Sequence, residues 1–350
     1  MRKIAIIGYG GMGSWHCRCI KDNFENDVVK GICDVRPERC ELAKENGYHV
    51  YNSLDEILKD EEITLTVVAT PNDSHKNIAI KCLKAGKNVV LEKPATLSAA
   101  EFEEVVQVAN ETGKVLTVHQ NRRWDRDFNI VKSIYDKKLI GDIYMVETRV
   151  QGSRQYTHGW RSSKINGGGM VYDWGVHLID QLLQMIQSKV VSVYSNLFCI
   201  YADEVDDNFK VILKFENSIS VLMEVSMNCF ILHPRWHISG SIGTAKIENW
   251  DCEGKITVIN KEEELPWEEK IVYTAAGPTR SMAPRPVHTV KEIPLPEVKT
   301  DLTEFYKNVF NAIDNKEELL VKHDETLRVL KIIDAIFESD RKGESIKCNI

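Results

Sequence analysis

The chain has 350 residues, of which 52 are acidic and 45 are basic, giving a formal net charge of -7. This length predicts two domains of ordinary size. Mild acidity without a long basic run argues against nucleic acid or an anionic membrane as a partner, and no apolar run approaches the about 20 residues that a membrane span needs. The nine cysteines show no zinc spacing and predict reduced thiols in a cytoplasmic protein without a metal site.

The first predicted elements are a buried strand over residues 3–7, a glycine-rich turn and a helix over residues 12–24. The turn contains Gly8, Tyr9, Gly10, Gly11, Met12 and Gly13. Glycines at this point allow a tight turn and a close approach of the backbone to a pyrophosphate, whose charge the helix N-terminus attracts. The sequence therefore predicts a dinucleotide site formed by these residues.

A second predicted strand, over residues 28–33, ends in Asp34. An acid about 20 residues beyond the glycines is placed to accept hydrogen bonds from ribose hydroxyls, and it repels a 2′-phosphate. Arg36 complicates this, because a guanidinium can pair with that phosphate or can simply be solvated. We expect the nearer acid to dominate, and the pair predicts NAD as the cofactor rather than NADP.

Strands and helices continue to alternate as far as residue 122. Helices are predicted over residues 37–46, 74–85 and 98–113, and strands over residues 63–69, 88–91 and 115–119. This alternation predicts a doubly wound parallel sheet, in which ligands bind beyond the carboxyl ends of the strands. The residues expected there, and hence at the cofactor, are Thr70, Pro71, Asn72, His75, Glu92, Lys93 and Asn121. His75 has an equally good interpretation as a residue that starts a helix.

The pattern changes after residue 122. Following a helix over residues 125–138, β-patterned stretches succeed one another at residues 143–151, 190–201, 209–215 and 219–227. Strands without intervening helices predict an antiparallel or mixed sheet. Residues 260–300 are interpreted as an excursion over that sheet, and residues 301–314 and 324–338 as closing helices.

Three glycines at positions 167–169 lead into a predicted helix over residues 170–186. The apolar residues of this helix are spaced to form one buried stripe, made of Val171, Trp174, Leu178, Leu182 and Met185. Asp173 and His177 are four residues apart and therefore share one helix face. Such a pair can be purely structural. Lys93 favours chemistry instead, because a lysine between Glu92 and Pro94 at a cofactor crevice is badly placed for a core and well placed for a substrate.

These motifs together resemble a known family. The glycine-rich turn, Glu92-Lys93-Pro94, and the run from Gly167 to His177 are similar to the signatures of the Gfo/Idh/MocA oxidoreductases. The resemblance implies an α/β protein with an N-terminal Rossmann domain over residues 1–122. It also implies an α+β domain over residues 123–350, whose large, open-faced, mainly antiparallel sheet binds substrate and forms homodimers or homotetramers. The resemblance further implies that the catalytic residues are Lys93, Asp173 and His177.

Residues 121–125 resemble a stretch found in NADP-using inositol dehydrogenases of that family. Those relatives lack an acid at the position of Asp34, so their cofactor choice is not carried over. Further cofactor contacts are expected from Trp160 and Arg161. The expected substrate-binding residues are Lys93, Arg122, Trp124, Tyr156, Asp173 and His177.

The expected reaction is hydride transfer between nicotinamide and a ring hydroxyl or ketone of a sugar, sugar derivative or cyclitol. His177 suits a base at neutral pH, Lys93 can stabilise negative charge on the substrate oxygen, and Asp173 can orient the substrate or the imidazole. The sequence leaves open whether Lys93 or His177 accepts the proton.

Two other functions stay open at this point. One is a glycosidase that uses bound NAD transiently, and the other is a non-catalytic dinucleotide sensor, against which the intact catalytic set argues. The segment 278–285 is interpreted as an ordered loop or oligomer contact, or as an arm that recognises substrate through Arg280 or Arg285.

Overall fold

The computed structural model describes residues 2–155, 159–260, 271–279 and 285–350. Its first sheet has six strands, all paired in parallel, in the order β3-β2-β1-β4-β5-β6. The strands are β1 (Arg2–Ile7), β2 (Asp27–Cys33), β3 (His49–Val50), β4 (Ile63–Val68), β5 (Asn88–Leu91) and β6 (Leu116–Val118). This is the predicted Rossmann topology, with a crevice where the strand order reverses between β1 and β4.

Helices alternate with these strands. They are α1 (Gly11–Asn23), α2 (Pro37–Glu45), α3 (Leu54–Lys59), α4 (His75–Lys84), α5 (Ala99–Thr112) and, after β6, α6 (Arg126–Asp136). The side chain of Ser53 caps α3 by accepting from the backbone of Glu56, and Ser98 caps α5 by accepting from Glu101, each over 3.3 Å. Gly113 ends α5 in a left-handed conformation.

The second sheet has nine strands in the order β16-β13-β12-β11-β7-β10-β9-β8-β17. All neighbours are antiparallel except β7 and β10. The strands are β7 (Ile143–Gln151), β8 (Val190–Phe198), β9 (Asn208–Phe215), β10 (Ser220–Ser226), β11 (Trp236–Gly240), β12 (Gly243–Ile247), β13 (Gly254–Ile259), β16 (Val290–Ile293) and β17 (Ile346–Lys347), with a separate hairpin of β14 (Val272–Thr274) and β15 (Gly277–Thr279).

One face of the second sheet is covered and the other is open. The covering helices include α7 (Val176–Met185) and α9 (His323–Lys342), and Ser195 on β8 donates to the backbone carbonyl of Ile336 on α9 over 2.6 Å. Along β9 the side chains of Phe209, Val211, Leu213 and Phe215 are buried, whereas those between them are exposed. Ile212, one of the residues on the exposed side, is 44% exposed.

The interpretation of residues 260–300 as an excursion over the sheet is corrected in part. Its end, β16, pairs antiparallel with β13 and forms the edge strand of the large sheet. Residues 261–270 and 280–284 lie outside the described residues, so the arm proposed around Arg280 is not described either.

Helix α8 (Glu304–Ile313) returns from the second half of the chain to the first sheet. The hydroxyl of Tyr306 donates to His16 over 2.7 Å, and Arg2 donates to the backbone carbonyl of Phe310 over 2.9 Å. The division into residues 1–122 and 123–350 stays a prediction. In the described ranges, no helix combines the length and apolar character that crossing a membrane requires.

Candidate active site

The glycine-rich turn forms an open cradle at the start of α1. A Cβ at Gly13 would lie 1.9 Å from the carbonyl oxygen of Gly8, so the turn and helix approach each other too closely for any other residue. Among the described residues, a Cβ added at Gly11 would meet no side chain or backbone outside its own helix within 4 Å, and a Cβ at Gly10 would meet the Arg36 guanidinium at 4.0 Å. Because α1 has no side-chain cap and no acid in its first turn, its N–H groups and dipole are available to a pyrophosphate. The cradle therefore fits a dinucleotide.

Asp34 lies at the carboxyl end of β2, beside this cradle. Its carboxylate accepts from the backbone N–H groups of Tyr9 over 2.7 Å and Arg36 over 2.9 Å. The half-exposed Arg36 guanidinium lies 3.6 Å from the same carboxylate. These contacts fix the Asp34 carboxylate at the edge of the cradle, where it can accept hydrogen bonds from a ribose.

A cleft of about 1030 Å³ runs from the cradle to the N-terminal end of the helix that carries Asp173. Most of the predicted site residues line it: Gly8, Gly10, Gly11, Met12, Asp34, Arg36, Thr70, Pro71, Asn72, Glu92, Lys93, Asn121, Arg122, Trp160, Arg161, Asp173 and His177. Residues far apart in the chain therefore share one cavity, as predicted. Tyr156 lies outside the described residues.

His75 and Trp124 do not line this cleft. His75 is fully buried, and its ring nitrogens contact the backbone carbonyls of Pro94 at 2.8 Å and Thr70 at 2.9 Å. It therefore braces two strand-end loops, which corrects the prediction of a cofactor contact. Trp124 packs edge-on against Phe305 with ring centroids 6.0 Å apart, and its assignment to the substrate stays a prediction.

Lys93 and Asp173 form an ion pair inside the cleft. The Lys93 ammonium donates to the Asp173 carboxylate over 3.0 Å and to its backbone carbonyl over 2.8 Å. Arg161 donates to the same carboxylate over 3.3 Å. Although burial alone would raise the pKa of Asp173, the two cations hold that pKa below its usual value. Asp173 is therefore ionised and fixes the direction of the lysine.

His177 is only 4% exposed. Its Nδ1 atom is buried without a hydrogen-bond partner among the described residues. Burial, followed by the positive charges of Lys93 and Arg122, holds the pKa of His177 well below its usual value. The imidazole is therefore neutral at neutral pH and can receive a proton.

The helix with these residues opens with a π-helical turn, Val171–Gly175, rather than as the uninterrupted helix that the sequence predicts. The wider turn changes the phase of the side chains. Trp174, expected in the buried stripe, instead lines the cleft and stacks on the Arg122 guanidinium, whose carbon lies 4.2 Å from a Trp174 ring centroid. Sequence reasoning missed this residue because a period of 3.6 places it in the core.

Asp206 supports the start of the π-helical turn and was also missed. Its carboxylate accepts from the backbone N–H of Val171 over 2.8 Å. A Cβ at Gly169 would lie 2.3 Å from that carboxylate, so the glycine permits the approach. Burial raises the pKa of Asp206 to about 7. Its position before β9 gave no sequence signal, because the contact spans 35 residues.

Comparison with known proteins agrees with this geometry. The model of an oxidoreductase family with an NAD-binding Rossmann fold matches residues 2–120, and that of the GFO/IDH/MocA C-terminal domain matches residues 128–246. The chain is 27% identical to scyllo-inositol 2-dehydrogenase (NADP(+)) IolW of Bacillus subtilis, with 98% of this chain and 95% of the relative covered. It is 31% identical to the oxidoreductase C115.03 of Schizosaccharomyces pombe over 85% of each chain.

Among solved structures, an NAD-binding protein from Listeria innocua is 39% identical, with a TM-score of 0.95 and 99% of each chain covered. Both halves of the fold therefore have matches in one family. The chain belongs to the Gfo/Idh/MocA family and is an oxidoreductase with an NAD-binding Rossmann fold.

Proposed function

We propose that the protein is an NAD(P)-dependent dehydrogenase that interconverts a ring hydroxyl and a ketone of a sugar, sugar derivative or cyclitol. The observation that carries the proposal is the Lys93–Asp173 ion pair beside a neutral His177, in the same cleft as the dinucleotide cradle. The Bacillus subtilis relative is named for the oxidation of a cyclitol, which supports this substrate class.

The cofactor would lie along the cleft from Asp34 toward Lys93. The open space at Gly10 and Gly11 would receive the pyrophosphate, and Asp34 the adenosine ribose. When bound, the nicotinamide supplies the hydride acceptor. We propose NAD as the preferred form, because the fixed carboxylate of Asp34 would face a 2′-phosphate, although the Bacillus subtilis relative is named for NADP.

The protein residues would divide the proton chemistry between them. Lys93, directed by Asp173, would donate to the substrate oxygen and stabilise its negative charge. The neutral His177 would accept the hydroxyl proton as the carbon–oxygen double bond forms. Of the two acceptors left open by the sequence, His177 is favoured because Lys93 is held in an ion pair as a donor.

Other observations support a proposal for the oligomeric state of the protein and for its location in the cell. We propose a homodimer or homotetramer formed through the open face of the second sheet, where Ile212 is exposed. The nine cysteines are all free thiols, which supports the expected cytoplasmic location.

The experiment that tests the proposal is a screen for NADH formation over cyclitols, polyols, aldoses, uronic acids and glycosides. We expect at least one compound with a ring hydroxyl to give NADH and a ketone in equal amounts. Aglycone release from glycosides without net reduction of the cofactor, or no reduced cofactor with any compound when NAD and NADP are each supplied, would overturn the proposal.

A further inference from the structure

A buried cluster of titratable side chains lies beneath Lys93. One carboxylate oxygen of Glu92 contacts the Nε2 atom of His16 at 2.9 Å and the Nδ1 atom of His119 at 2.7 Å. Glu92 is 5% exposed, and the two imidazoles are 0% and 1% exposed. No step of the proposed reaction uses this cluster.

The contacts fix where the protons are. An oxygen that contacts two ring nitrogens satisfies both when it is an ionised acceptor and each nitrogen carries hydrogen. With hydrogen on Nε2, His16 can accept at Nδ1, and there the Tyr306 hydroxyl donates over 2.7 Å. Burial alone would raise the pKa of Glu92, but His119 and His16 hold that pKa well below its usual range. The carboxylate of Glu92 is therefore ionised.

The second carboxylate oxygen of Glu92 reaches the active site. It accepts from the backbone N–H of Lys93 over 3.1 Å. The ammonium of that lysine is held by Asp173. Lys93 is thus fixed at its backbone by one carboxylate and at its side chain by another.

The charge of Glu92 also acts on His177. The charged or titratable groups that act on this imidazole are Lys93, Arg122, Glu92 and His119, and Glu92 is the one that raises its pKa. The cleft above this buried anion is lined by four cations, Arg36, Lys93, Arg122 and Arg161, and the anion offsets part of the effect of those near His177.

We propose that His16, Glu92 and His119 form a positioning unit that holds an ionised carboxylate under the active site, where it fixes Lys93 and sets the charge balance around His177. The proposal rests on the proposed function for its kinetic consequences. Glu92 is then a positioning residue, as are the two histidines.

The same three side chains are a donor set that can bind a metal ion. The contacts of 2.7 and 2.9 Å to one oxygen are those of hydrogen bonds, and they require hydrogen on the nitrogens that a metal would use. Metal analysis of the purified full-length protein is therefore one arm of the test. A stoichiometric metal ion that leaves with loss of activity would overturn the positioning unit.

The main test is Glu92→Gln, which keeps the shape and removes the charge. We expect kcat to fall by about 100-fold through misplacement of Lys93, with the Kd for NADH changed little. The pKa of His177, followed by NMR of the ¹⁵N-labelled imidazole, should fall further, because the one anion that raises it is gone. An unchanged His177 titration, with loss of thermal stability alone, would overturn the proposal.

Rescue variants separate positioning from folding. Asn can mimic the Nδ1 donor of histidine, so His119→Asn should retain more activity than His119→Ala. Gln can mimic the Nε2 donor of histidine, so His16→Gln should retain more activity than His16→Ala. Equal loss in both members of each pair would contradict the proposal.

A matched control is available in another histidine, on α9, that contacts strand β6. His323 contacts the carbonyl of Leu116 at the start of β6 over 2.7 Å, whereas His119 follows the end of β6. His323→Ala should lower stability without moving the His177 titration. Because this titration needs no turnover, a wild-type protein that oxidises no sugar or cyclitol would defeat the proposed function while the titration still decides the positioning unit.

Discussion

Lys93 and His177 are the two side chains in the cleft whose removal should affect chemistry more than binding. We expect Lys93→Ala and His177→Ala each to lower kcat by about 10²- to 10⁴-fold, the usual contribution of a positioned acid or base. NADH should still bind, because the cradle at Gly10 and Gly11 is remote in sequence and open in both variants. Steady-state kinetics and NADH fluorescence titration measure the two effects.

Lys76→Ala is the matched control for the lysine variant. Lys76 pairs with the exposed Glu104 on the surface, and such pairs contribute at most about 1 kcal/mol to stability. Its kcat should equal that of the wild type. Near-wild-type turnover in Lys93→Ala or His177→Ala would remove that residue from the mechanism.

Asp34 should determine the choice of cofactor. Its carboxylate is fixed by two backbone N–H groups beside the cradle, so it would repel a 2′-phosphate. We expect the wild type to have a higher kcat/KM for NAD than for NADP, and Asp34→Ser to shift the preference toward NADP. In the Asp34→Ser background, Arg36→Ser should reverse that gain, because Arg36 is the nearby cation. A wild-type preference for NADP would show that Arg36, not Asp34, dominates.

At the scale of elements, hydrophobic patterning predicted the long, regular strands well. The predicted range 143–151 coincides with β7, and the predicted range 209–215 matches all but the first residue of β9. The short strands β11, β12 and β13 were not predicted, because glycines lie at their ends and each has only five or six residues over which alternation can be recognised. Their pairing partners are also set by tertiary contacts rather than by local sequence.

The candidate site shows the same difference between what local sequence patterns predict and what tertiary contacts determine. Residues in motifs that end strands line one cleft, since parallel strands bring their carboxyl ends to one edge. Trp174 and Asp206 were missed because their roles depend on a π-helical turn and on a contact between distant segments. His75 was misassigned because a residue at a strand end can face the core as well as the cleft.

Asp206 gives the element that carries Asp173 a pH-dependent stability. Because burial raises the pKa of its carboxyl to about 7, the folded protein holds a proton there that the unfolded chain has lost above pH 3.8. Stability should therefore fall as pH rises between these values, by at most about 1.4 kcal/mol per pH unit, and stay level above them. Asp206→Asn keeps an oxygen that accepts from the Val171 N–H and lacks this titration. Its free energy of unfolding relative to the wild type should therefore rise between pH 5 and pH 8.

The neighbouring acid provides the control. Burial alone would raise the pKa of Asp207, but backbone N–H groups of residues 200–202 hold it below its usual value, so Asp207 is ionised in both states over this range. Asp207→Asn should lose stability equally at pH 5 and pH 8. A pH-independent difference between Asp206→Asn and the wild type, measured by urea unfolding, would contradict the account.

At the scale of the whole molecule, the open sheet face predicts assembly. A sheet with helices on one face leaves side chains such as Ile212 in water, and faces of this kind commonly form symmetric interfaces. Light scattering at micromolar concentration should give a mass of at least twice the 40.0 kDa of one chain. Ile212→Lys should shift the mass toward the monomer, whereas a monomeric wild type would defeat this prediction.

The central claim, hydride transfer from a ring carbon in the cleft of Lys93 and His177, is tested most directly by isotope tracing. A sugar or cyclitol that the screen identifies would be labelled with deuterium at the carbon that bears the reacting hydroxyl. After one turnover, mass spectrometry should find the deuterium in the reduced dinucleotide and a ketone in the product. Deuterium released into water, or retained in a product at the same oxidation level, would contradict the account.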